Sequence, residues 1–181
     1  MHFKDPTTSL IDQLERAPGL VVPLVREVPP SLLKRRPLPG KWSAHEHACH
    51  LSRVDRLYID RLEHILAHSR PSITPYDPGR DDADDAFLQM DLERALERYV
   101  EDRRALVTRL RALPADAWLR TASHGEYSHY SVYIMFRHVA LHDLFHAYRI
   151  EELLLRLEWA PEWRQFAANT PPHTLPSHQQ Q

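Results

Sequence analysis

Residues 43–68, 91–113 and 131–158 contain neither proline nor glycine, although the chain of 181 residues holds 15 Pro and 4 Gly. Stretches of that length without a breaker favour α-helices, and the breakers gather between them, at positions 29–30, 37–40 and 71–79. A fourth periodic segment comes first. From residue 7 to residue 26, Leu10, Ile11, Leu14, Leu20, Val21, Leu24 and Val25 recur at helical spacing. Pro18 and Pro23 interrupt that segment, so a kinked helix or two short ones are expected there. The chain reads as all-α.

The second helix has a sharp start. Ser43 and Glu46 stand in capping-box register, and Trp42 can staple the approach against the core. At about 100° per residue, Glu46, His50, Leu57, Arg61 and Ile65 share one arc. Residues 69–84 form a long Pro-rich, acidic crossover, and the third helix then carries Leu92, Ala95, Leu96, Tyr99 and Leu106. Residues 114–118 read as a short helical turn and residues 124–128 as a loop. Ser131 looks like the N-cap of the last helix, whose inner direction holds Val132, Met135, Val139, His142, His146, Ile150 and Leu153. A composition of 43% hydrophobic and 27% charged residues suits one compact domain over residues 1–160. A Pro-, His- and Gln-rich tail follows over 161–181.

The charge balance of −2 gives no basic footprint for nucleic acid. Cys49 is the only cysteine, which rules out an internal disulfide and fits a reducing compartment. Neither a signal-like N-terminus nor an apolar run of about 18 residues is present, so no membrane role is expected and a cytoplasmic location is.

The informative residues are histidines. His142 and His146, four apart, project from one face of the last helix, and His50 lies inside the core stripe of the second. Burying these imidazoles without a shared partner would strand several ring nitrogens, a cost that a metal ion removes. Three nitrogen ligands with an open position describe a catalytic divalent site better than a closed structural one. His138 lies about 12 Å from His146 along the helix axis and about 80° away in direction, which makes it a surface or supporting residue. His45 and His47, in the first turn of their helix, read as solvent-facing.

Other side chains have two readings. Asp143 could orient an imidazole through its second nitrogen, or be an ordinary helix-surface carboxylate. Glu46 could be a fourth ligand or base, though the capping box already accounts for it. Arg61 and Arg149 could hold an anionic group of a small-molecule substrate, or form intrahelical ion pairs. Cys49 points about 100° from His50 and reads as a buried, inert thiol. Tyr133, Phe145, Tyr148 and Trp159 look exposed, more aromatic surface than one bundle needs, and a homodimer would cover them.

The pattern Trp42-Ser43-x-x-Glu46-x-x-x-His50-Leu51, followed near the end by His142-Asp143-x-x-His146-x-x-x-Ile150, resembles the DinB/YfiT-like superfamily. The resemblance runs from about residue 9 to residue 155 and includes the break from Leu110 to Pro114. It implies a four-helix bundle in up-down-down-up order, with the long crossover between helices 2 and 3. It also implies a divalent metal, commonly nickel or zinc, on His50, His142 and His146. Members of the superfamily include transferases and an isomerase that use low-molecular-weight thiols such as bacillithiol, mycothiol or glutathione. Thiol-dependent S-transfer is therefore the first expectation, with Cys49 unsuited to supply the sulfur. On the residues alone, metal-dependent hydrolysis stands equal, and a non-enzymatic metal-binding stress-response protein is the competing class.

Overall fold

The computed structural model describes residues 5–169. Four long helices make the bundle: α1 (Pro6–Glu27), α3 (Ala44–Ala67), α6 (Leu92–Arg111) and α7 (Val132–Leu154). Shorter helices are α2 (Pro30–Leu33), α4 (Pro78–Asp81), α5 (Ala86–Gln89) and α8 (Ala160–Asn169). Cross-helix pairs fix the directions. Asp55 meets Arg103 and Glu63 meets Arg109, so α3 and α6 run parallel. Glu15 meets Arg111 and Arg26 meets Glu93, so α1 opposes α6. His50 meets His142 and His47 meets His146, so α7 opposes α3. The order is up-down-down-up, and the parallel pair needs the long return between Ala67 and Leu92.

The helix ends follow local chemistry. Ser43 accepts from the Glu46 amide while Glu46 accepts from the Ser43 amide, closing the capping box at the head of α3. Gly40, at φ 73°, turns the chain toward Trp42 in a backbone region that L side chains rarely adopt. Ser131 caps α7 by accepting from Ile134. Of the two forms expected for the first segment, two short helices are excluded: α1 is one 22-residue helix with Pro18 and Pro23 inside it. Pro18 cannot donate to the Leu14 carbonyl, and Arg103 Nη1 takes that oxygen at 2.9 Å instead.

A three-stranded sheet closes one end of the bundle, where the sequence suggested only a turn and a loop. Strand β1 (Ser72–Ile73) pairs parallel with β2 (Thr121–His124), which pairs antiparallel with β3 (Tyr130–Ser131). Strands of two to four residues carry too little alternation to be read from sequence. Helix α8 occupies residues expected to be tail, and residues 170–181 lie outside those described.

Most of the core falls into two apolar halves, with a small third group of Cys49, Phe87 and Ala95 beside them. One half gathers Leu10, Leu14, Leu62, Leu106, Met135 and Phe136; the other gathers Val21, Val25, Leu51, Leu96, Ile150 and Trp159. Trp159 is thus buried, not surface as its sequence context suggested. Between the halves in register lies a buried ionic layer: Arg103 bridges Asp55 at 2.8 and 3.0 Å and Asp143 at 2.6 and 3.0 Å. Burial pushes the Asp55 carboxyl up to about 6 and raises Asp143, while Arg103 pulls both back toward the charged form. Among the described residues, no helix is long and apolar enough to cross a membrane.

Candidate metal centre

Antiparallel packing of α3 on α7 builds a ladder of imidazoles. One turn separates His47 from His50 and His142 from His146, so each histidine of one helix meets one of the other. His50 Nε2 lies 3.1 Å from His142 Nε2, which lies 3.0 Å from His146 Nε2. One nitrogen from each of the three falls within 4.8 Å of the other two. At metal–nitrogen distances of about 2.0–2.1 Å, a tetrahedral site has nitrogen–nitrogen edges of about 3.3 Å, close to these separations. Protons alone satisfy the cluster poorly. The Nε2 of His142 has either one lone pair or one N–H, yet it faces two nitrogens. A cation at the shared point would engage all three lone pairs, and the donor set fits a divalent metal.

The electrostatics keep those lone pairs available. Burial, reinforced by His138, pushes His142 down to about 4. Burial and the neighbouring imidazoles hold His50 well below the usual range and depress His146 as well. His50 Nδ1 and His142 Nδ1 are buried without a hydrogen-bond partner, whereas His146 Nδ1 lies 2.8 Å from His47 Nδ1.

The histidines open onto a cavity of about 280 Å³ whose wall includes Trp42, Tyr58, Arg61, Tyr76, His138 and Phe145. Tyr76 lies parallel to the His50 ring at 6.1 Å, Trp42 tilts against it at 4.9 Å, and Phe87 meets it edge-on at 5.4 Å. Tyr76 and Phe87 come from the return segment between α3 and α6. His45 anchors that segment through Phe87 O (3.1 Å), Lys34 through Leu88 O (2.8 Å) and Arg53 through Asp82 (2.8 Å). A larger groove, about 810 Å³ between α3 and α6, holds none of the three histidines.

The other expected residues separate. Arg61 reaches the cavity, where it donates to Thr74 O at 2.7 Å and lies over the Tyr58 ring. Asp143 turns to Arg103, away from any imidazole, because the buried guanidinium takes both its oxygens. Glu46 is taken up by Ser43 and Arg36. Arg149 pairs with Glu152 and does not line the cavity. His138 sits exposed at the mouth. His45 and His47 are buried, where sequence reading put them in solvent, because the return segment and α7 cover the first turn of α3. Trp42, Tyr76 and Phe87 were missed as site residues; Trp42 beside the capping box was the one legible hint. Cys49 is fully buried, and desolvation pushes its thiol up to about 12.

A four-helix bundle in up-down-down-up order, with three histidine nitrogens converging between its second and last helices, defines a class of helical proteins with a candidate metal centre. The DinB superfamily model matches residues 13–150, and the chain belongs to that family. Among solved structures it is similar to YfiT from Bacillus subtilis, described as a probable metal-dependent hydrolase with an unusual four-helix bundle topology. The two share 23% identity over 88% of this chain and 91% of that one, with a TM-score of 0.76. No curated protein matches the chain.

Proposed function

We propose that this protein is a metal-dependent enzyme in which His50, His142 and His146 hold a divalent ion, nickel or zinc, and which transfers a low-molecular-weight thiol such as bacillithiol to an electrophile. The observation carrying this reading is three convergent Nε2 atoms on the wall of a cavity whose lining contains no carboxylate among the described residues. Bound there, the ion supplies Lewis acidity, which lowers the pKa of a thiol or water that reaches it. Ionising a thiol in this way needs no carboxylate base, and both nearby candidates, Glu46 and Asp143, are engaged by arginines. The protein has no accessible thiol of its own to offer, since Cys49, its one cysteine, is buried with a raised pKa. Trp42, Tyr76 and Phe87 limit water around the His50 ring. Arg61 presents a cation to a carboxylate of the incoming small molecule.

Hydrolysis is the second reading, favoured by the likeness to YfiT. In that case His138, exposed at the cavity mouth, is the side chain placed to exchange protons with water. One experiment separates the two. Metal-loaded protein is given bacillithiol, glutathione or mycothiol with a panel of electrophiles, and separately simple esters and amides, each against His142→Ala. Thiol consumption above that control supports transfer. Ester or amide turnover alone makes hydrolysis the function.

The reading extends to assembly. Leu141, Leu144, Phe145 and Tyr148 form an exposed apolar stripe along α7, and a second copy covers it by two-fold symmetry. The lone buried Cys49 suits the reducing cytoplasm in which such thiols occur.

A further inference from the structure

We propose that His47 is a positioning residue for the centre: its Nδ1 accepts the Nδ1 proton of His146 and thereby fixes His146 in the tautomer that leaves Nε2 free for an ion. This rests on the metal reading above and adds a residue to it. The two Nδ1 atoms are 2.8 Å apart, so one ring donates and the other accepts. A neutral imidazole carries one proton, and a ligating nitrogen must be without it. If His146 Nε2 is to join the Nε2 atoms of His50 and His142, the His146 proton resides on Nδ1, and His47 is the acceptor. His47 is then protonated on Nε2.

The surroundings favour a bond that matters. His47 and His146 are both buried, and Trp42 covers the pair, meeting His47 edge-on at 5.5 Å and stacking on His146 at 6.0 Å. With water kept away, the loss of either partner strands the other nitrogen. Of the three converging histidines, only His146 has its second nitrogen held, since His50 Nδ1 and His142 Nδ1 have no partner. His146 is therefore the ring whose orientation the protein sets in advance, and His47 reaches it from one turn before His50.

The variants are His47→Leu, which fills space but cannot accept, and His47→Asn, whose Oδ1 stands near the position of Nδ1 and can. Zinc and cobalt(II) affinities are measured by chelator competition, and tautomers are read by ¹⁵N-imidazole NMR on metal-free protein. His47→Leu should weaken affinity about 10–100-fold and perturb the cobalt d–d spectrum, while His47→Asn recovers most of the loss. In metal-free wild type, His146 should be protonated on Nδ1 and His47 on Nε2, with the His146 assignment lost in His47→Leu. Wild type that binds ion but no more tightly than His47→Leu, or a His146 protonated on Nε2 in the metal-free wild type, overturns the proposal. Failure of wild type to bind any ion, with the tautomers as expected, sinks the metal reading and leaves the His47–His146 pairing standing. If His47→Leu proves unfolded by circular dichroism, His47→Asn and the wild-type tautomers decide alone.

Discussion

Arg103 donates to the Leu14 carbonyl at 2.9 Å, the oxygen that Pro18 leaves without its helical donor. The same guanidinium binds Asp55 and Asp143, so the continuity of α1 is tied to the ionic layer that divides the core. Arg103→Met should therefore cost about 3–5 kcal/mol in unfolding free energy, because two buried carboxylates lose their counter-charge. Pro18→Ala returns an N–H to Leu14, and the double variant should lose less than the sum of the single changes. Urea unfolding of the four-member cycle checks this. Additive losses would mean that the arginine does not stand in for the missing amide.

Metal content tests the centre. His50→Ala, His142→Ala and His146→Ala should each abolish stoichiometric binding of zinc or nickel, whereas His138→Ala should retain it. Elemental analysis after desalting provides the measurement. Full occupancy in the first three would remove the site, and equal loss with His138→Ala would mean the ion sits on the neighbouring face.

Acid sensitivity has a definite sign. His47 and His142 are pushed down to about 4 in the folded chain, chiefly by burial, while unfolded histidine titrates near 6.5. Below about 6.5 the unfolded state binds more protons than the folded one, so this contribution is complete above 6.5 and lost as pH falls toward 4. Asp55, pushed up to about 6, acts in the opposite direction across part of that window. The share of His142 is therefore read as the difference between metal-free wild type and His142→Phe. That difference in urea midpoint should change by pH 4.5, with wild type the more acid-sensitive of the two.

Arg61 is expected to act on binding. Arg61→Met should raise KM for a carboxylate-bearing thiol about tenfold and change kcat little, since the guanidinium would hold a group remote from the reacting atoms. A fall in kcat at unchanged KM would assign Arg61 to the chemical step.

Light scattering should give twice the 21.2 kDa chain mass at micromolar concentration, and Phe145→Asp should return the protein to monomer. A constant chain mass in the wild type would leave the α7 stripe without the second copy proposed for it.

The bundle was legible because its signals are local and periodic. Ser43 with Glu46, the apolar stripe of α7 and the breaker-free stretches each report on a few neighbouring residues. His50, His142 and His146 were legible for the same reason: two share a helical face and one lies in a stripe. What escaped depends on contacts distant in sequence. Arg103, 89 positions from the Leu14 carbonyl it serves, is one charge in a helix rich in charge. Asp143 carried no mark to show that it would face that arginine across the core, not the imidazole beside it. His47 looked exposed on its own helix, and only the approach of α7 buries it.

The return segment between α3 and α6 exists because two parallel helices must be joined head to tail, yet it delivers Tyr76 and Phe87 onto the His50 ring. The imidazoles and most of the wall around them belong to α3 and α7, whereas Tyr76 and Pro78 reach the cavity from that strap. The candidate metal ligands and part of the surface around them are thereby carried by different parts of the chain. Exchange of Tyr76, on the cavity wall, is therefore expected to reshape the approach to the centre while leaving the converging nitrogens of α3 and α7 in place, whereas Phe87 is buried and tied to His45, so its loss would be felt in the fold.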